Sequence, residues 1–180
     1  HSHLEEYKVE ASMATLERVS AVPIMPLFES EIIAQDERTR TVRVPSGAVM
    51  KVMKTDKYRG VMPQYLERPV TDRASWERYK RRLDPHTPER WPADWKAYVE
   101  QCNQLDYPLG LKIGSLLGYL RECMGLEELL FTFYDDPGLI EDMMDHMLYF
   151  STEVAKRVLK DIKPDWVFIW EDMAYKSVPM

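Results

Sequence analysis

Near its end the chain runs Asp165-Trp166-Val167-Phe168-Ile169-Trp170 and then turns polar, Glu171-Asp172-Met173-Ala174-Tyr175-Lys176. An apolar run of about six residues bounded by turn signals predicts a buried strand. A second such run, Tyr107 to Ile113, stops at Gly114. Helix-like segments lie between them, at 115–123, at 126–134 and from Pro137 to about Ile162, proline being well suited to a first helical turn. At ~1.5 Å per residue the last of these would span roughly 37 Å. Strand, helical crossover and strand predict parallel pairing, because a crossover much longer than a tight turn returns the chain in the same direction. The expected class is therefore α/β, with chemistry at the C-terminal ends of the strands, where parallel sheets bind ligands.

Upstream, residues 4–19 carry apolar positions at helical spacing (Leu4, Tyr7, Ala11, Ala14, Val19). The prolines of Val22-Pro23-Ile24-Met25-Pro26 predict extended chain. Thr39 to Val44 and Ala48 to Lys54 are β-branched runs flanking Pro45-Ser46-Gly47. They predict a hairpin, polar on both faces, standing out from the surface. From Pro63 through Pro69-Val70 the chain reads as extended. Thr71 or Asp72 then caps a helix bearing Trp76, Tyr79, Lys80 and Leu83, and Asp94 caps another running to about Leu105. No internal repeat or low-complexity tract interrupts this, and 180 residues suffice for one domain with its own core.

Net charge is −6, which argues against nucleic-acid binding, since that needs a basic face. Lys80-Arg81-Arg82 is a short basic run that a solvated helix end explains. Two cysteines, Cys102 and Cys123, lie in helix-like stretches without metal-type spacing, which predicts a reduced, cytoplasmic setting. No apolar run approaches the ~20 residues of a membrane span, and no secretory signal pattern is present. His1-Ser2-His3 without an initiating Met predicts a tag remnant or the interior of a longer sequence, and the rest of the site is expected beyond Met180.

The candidate site residues follow the two strand ends. Glu171 and Asp172 can bind a cation, hold a hydroxyl or act as general base. Their structural alternative is that one caps a helix and the other faces solvent. Lys176 beside them would lower a carboxylate pKa, and Trp170 and Tyr175 offer an aromatic wall. At the other strand end, Gly114-Ser115 allows close backbone approach to a ligand, with Tyr119 aimed into the same cleft. A turn glycine and helix start is the plainer account of that pair, and no phosphate-loop spacing is present. His86, in a proline-rich loop, and His146, beside Met143, Met144 and Met147, read as surface or core rather than ligands. Glu29, Glu31, Asp36 and Glu37 read as a solvated face.

Three stretches carry a resemblance: Leu120-Arg121-Glu122-Cys123-Met124-Gly125-Leu126-Glu127, Phe133-Tyr134-Asp135-Asp136-Pro137, and Ile169 through Lys176. Together with Leu66-Glu67-Arg68-Pro69-Val70, Trp76, Lys80 and Arg82-Leu83-Asp84, they resemble the uroporphyrinogen decarboxylase superfamily, including its branch of corrinoid-dependent methyltransferases. The resemblance implies part of a (β/α)8 TIM barrel with parallel strands and an inserted β-hairpin at 39–54, the whole of residues 1–180 forming one partial barrel domain. It implies cofactor-independent decarboxylation of a tetrapyrrole-type or related carboxylate substrate, with Tyr119, Glu171 and Asp172 catalytic. Gly114, Ser115, Trp170, Tyr175 and Lys176 would contact substrate. Tyr119 falls about two positions from that family's active-site tyrosine. Glu171 stands where decarboxylases have aspartate, and Asp172 where they have serine. No metal ligand is expected within the segment. The alternatives are a zinc-dependent methyltransferase acting between corrinoid proteins and thiols, its zinc ligands lying beyond Met180, and a non-catalytic truncated barrel. The partners expected are a small-molecule substrate, a tetrapyrrole or corrinoid protein among them, and further copies of the chain pairing exposed strand edges, with neither nucleic acid nor membrane.

Overall fold

A computed structural model describes residues 23–54, 62–169 and 171 of the chain. The helix expected over 4–19, and the site candidates Trp170, Asp172, Tyr175 and Lys176, lie outside the described residues. Among the described residues six strands occur: β1 (Glu31–Gln35), β2 (Thr39–Arg43), β3 (Val49–Met53), β4 (Gln64–Glu67), β5 (Gly110–Ile113) and β6 (Trp166–Ile169). The α-helices among them are α1 (Arg73–Lys80), α2 (Trp95–Asn103), α3 (Leu117–Met124), α4 (Leu126–Asp135) and α5 (Pro137–Asp161).

The expected barrel segment is corrected by this topology. Strands β1–β4 form one antiparallel sheet in sequential order, and only β5 and β6 run parallel, in a separate sheet. The reason lies in the connections. Between β1 and β2, and between β2 and β3, only a few residues are available, and a short turn can do nothing but reverse the chain, whereas parallel strands need a crossover of a dozen residues or more. Gly47, at φ +89°, supplies the left-handed turn conformation between β2 and β3, which pair from Thr39↔Met53 to Arg43↔Val49. The hairpin is thus half of a four-stranded meander, not an excursion from a barrel. The stretch read as a solvated acidic face supplies β1, and the extended segment after Pro63 supplies β4.

The helical crossover from β5 to β6 behaves as expected. Strands β5 and β6 pair from Gly110↔Trp166 to Ile113↔Ile169, with α3, α4 and the 25-residue α5 between them. Asp165 fixes this register, since its backbone N–H donates to the Leu109 carbonyl at 2.8 Å and its carboxylate accepts from the Leu109 N–H at 2.8 Å. Gly110 is required here, because any Cβ would run into the Trp166 ring. One core, including Val70, Trp76, Leu111, Leu120, Met143 and Val158, joins α1, α3 and α5 to β5. Helix α1 starts in a capping box, with the Asp72 side chain accepting from the Ser75 N–H at 2.6 Å and the Ser75 hydroxyl accepting from the Asp72 N–H at 2.9 Å.

Candidate functional site

Helix α3 follows directly from the end of β5, so it carries side chains back over that strand end. Tyr119, on its first turn, is buried, and its hydroxyl donates to the Tyr79 hydroxyl on α1 at 3.2 Å. The Tyr79 hydroxyl donates in turn to the carbonyl of Ser46, in the β2–β3 turn, at 3.3 Å. This relay ties three elements of the fold at one point. Burial pushes both phenols well above the usual tyrosine range, with the Cys123 thiol adding to the shift, so both remain protonated. Burial likewise pushes the Cys123 thiol up to about 12, which makes it a packed neutral group rather than a nucleophile.

Two cavities meet at Tyr119. The inner one, about 150 Å³, is walled by Lys112, Gly114, Ser115, Tyr119, Glu122 and Ser151, among others. The outer one, about 270 Å³, is bounded by Tyr65, Arg68, Tyr79, Tyr119, Glu122 and Cys123 and opens beside the hairpin turn. Pro23, Tyr119 and Glu122 are common to both walls. Together they reach the ~300–1,000 Å³ scale of small-molecule sites. Arg68 and Lys112 bring positive charge to this space, and Glu122 brings negative charge. Ser115 and Ser151 are each 8% exposed, and neither hydroxyl oxygen has a hydrogen-bond partner among the described residues.

Glu171 takes a different position. Helix α3 has no capping side chain of its own, and the Glu171 carboxylate, arriving from the end of β6, accepts from the backbone N–H groups of Leu116 and of Gly118, the latter at 3.1 Å. A carboxylate set against two free N–H groups of a helix start is well placed electrostatically. It lines a third, apolar groove of about 680 Å³ that includes Leu117, Leu130, Phe133 and Leu148, on the other side of Ile113, Gly114 and Ser151 from the Tyr119 cavities. Of the residues singled out from the sequence, Gly114, Ser115 and Tyr119 therefore line one cavity, while Glu171 caps the helix that carries Tyr119.

Tyr79, Arg68, Lys112 and Glu122 were not singled out. Glu122 had a readable signal, since it lies three positions after Tyr119 and so shares its side of α3. Tyr79 was read only as a helix residue near Trp76. Arg68 had no local signal, because its place depends on the sheet folding back against α3. Among the described residues no group of three or more His, Cys, Asp or Glu is placed to hold a metal ion, and no helix is long and apolar enough to cross a membrane. No protein-family model, curated protein or solved structure matches the chain.

Proposed function

We propose that this chain decarboxylates a small, largely apolar carboxylate at the Tyr119 cleft, without a bound cofactor. One observation carries the reading: Gly114, Ser115 and Tyr119 line a single cavity at the C-terminal end of β5, with Lys112 and Glu122 on its wall. In such a reaction the bond from the substrate carbon to its carboxylate breaks, CO2 leaves, and a proton takes its place on that carbon. A cation attracts the substrate carboxylate before the bond breaks. A carboxylate such as Glu122 stabilises positive charge on a substrate that is protonated at carbon first. The buried phenol pair keeps its protons, so Tyr119 shapes and orients rather than acting as a base. An apolar wall strengthens each of these interactions by excluding water.

The experiment is release of labelled CO2 from a panel of carboxyl-13C acids, from single aromatic rings to tetrapyrroles. Release by the wild type, reduced about 10²-fold or more in Glu122→Gln, is the expected result. A panel that yields no labelled CO2 above the uncatalysed rate would sink the reading.

A further inference from the structure

The outer cavity contains a guanidinium held ready for an anion. Arg68 follows β4, and its guanidinium carbon lies 3.5 Å from the centroid of the Tyr65 ring. Its Nη1 donates to the main-chain carbonyl of Glu122 on α3 at 2.8 Å. Stacking sets the plane of the group, and the hydrogen bond sets its rotation within that plane. A guanidinium fixed in both respects loses little further freedom on binding, which is what makes an arginine fork selective for a planar, two-oxygen anion. Nη1 aside, the remaining N–H groups have no acceptor among the described residues, and Arg68 makes no ion pair with a carboxylate among them. Glu122 lines the same cavity, yet Arg68 meets its main-chain carbonyl rather than its carboxylate.

The walls define the rest of the ligand. Tyr65, Tyr79 and Tyr119 contribute ring surface, and Pro45 and Pro69 contribute flat apolar surface. A cleft of about 270 Å³ with such walls suits one ring rather than an extended chain. We infer that Arg68 anchors the carboxylate of an aromatic or heteroaromatic acid in the outer cavity, with the ring lying between Tyr65 and the Tyr79–Tyr119 pair. This deepens the decarboxylase reading and rests on it for the chemistry, while the binding step stands by itself. In that arrangement Arg68 holds a carboxylate that is retained, and the inner cavity beyond Tyr119 receives the group that reacts.

Benzoate is the probe, with benzamide as its neutral counterpart of the same shape and inorganic phosphate as a competing anion, all titrated into the full chain. Benzoate should bind and shift the Arg68 Nε–H resonance. Benzamide should bind at least about tenfold more weakly, and Arg68→Gln should weaken benzoate by about the same factor, because each change removes a charge-assisted fork. Arg68→Lys, which keeps the charge and loses the fork, should fall between wild type and Arg68→Gln. Equal binding of benzamide and benzoate, an unmoved Arg68 resonance at saturation, or unchanged benzoate affinity in a folded Arg68→Gln protein would each overturn the inference. So would phosphate displacing benzoate at equal concentration. Should Arg68→Gln not fold, the wild-type resonance and the lysine variant still decide. A protein that binds benzoate in this way but releases no CO2 from any acid removes the decarboxylase reading alone.

Discussion

Ser151 sits on the inner face of α5 with its hydroxyl buried and without a partner among the described residues, 3.3 Å from where a Cβ on Gly114 would lie. A buried hydroxyl left unpaired costs about 1–3 kcal/mol against one that is bonded. Ser151→Ala should therefore leave the protein as stable as wild type or more stable by up to about 1 kcal/mol, as read from urea unfolding midpoints at unchanged slope. Destabilisation of ~1 kcal/mol or more would mean that the hydroxyl has a partner, an ordered water included. At this scale the sequence was informative about residue type and silent about partners. Tyr119 was legible as a site candidate because it follows a strand end by a few residues. Its bond to Tyr79, 40 positions away, was not legible, because nothing in either local pattern refers to the other.

Among the elements, α3 depends most on a distant residue. It begins at Leu116, which offers no capping oxygen, and its first N–H groups are satisfied by Glu171, 53 to 55 positions away. Glu171→Ala should cost about 0.5–2 kcal/mol, the range of a lost N-cap, and Glu171→Gln should cost less because an amide oxygen still accepts. Urea unfolding of both variants checks this. A turnover loss in Glu171→Gln with no change in stability would instead return Glu171 to the catalytic role read from the sequence. Helices α1 and α2 were readable in advance because their caps, Asp72 and Asp94, are local and lie within three residues of the N–H groups they accept from. Helix α3 was readable only as a helix, since the residue that caps it arrives with β6.

Across the whole molecule, α1 is tied to α5 by polar contacts at two levels. Arg73 pairs with Asp136 at 2.8 Å, and Lys80 pairs with Asp142 at 2.7 Å, Asp142 also accepting from the Trp76 indole. Burial pushes the Asp142 carboxyl upward, but the hydrogen bonds from Lys80 and Trp76 outweigh it and hold the group below the usual aspartate range. His146, one turn further along α5, lies in the same contact, with a ring nitrogen 3.0 Å from the Leu83 carbonyl and its ring edge-on to Trp76. Burial lowers its pKa, and Lys80 adds to that, while the Leu83 carbonyl, Asp142 and Asp84 oppose it. The folded state thus holds the proton less tightly than the unfolded chain, whose histidine titrates near about 6.5. Stability from this group is present above that value and is lost as pH falls through the lower folded value. The melting temperature should drop as pH falls below about 7, and His146→Gln should flatten that slope. Identical slopes in the two proteins would show that other groups set the acid limit.

What the sequence by itself determined is whatever rests on contacts a few residues apart. That includes the hairpin turn at Gly47, the caps of α1 and α2, and the proline start of α5; the parallel pairing of β5 with β6, 56 positions apart, was readable only from the order strand, helices, strand. The tertiary structure alone decided that β4 joins the strands of the hairpin in one four-stranded sheet separate from β5 and β6. It also decided that Glu171 caps a helix, and that Arg68, Tyr79 and Tyr119 converge on one cleft. Those outcomes depend on which surfaces are buried against each other. Burial is a sum over residues far apart in the chain, so no local pattern records it.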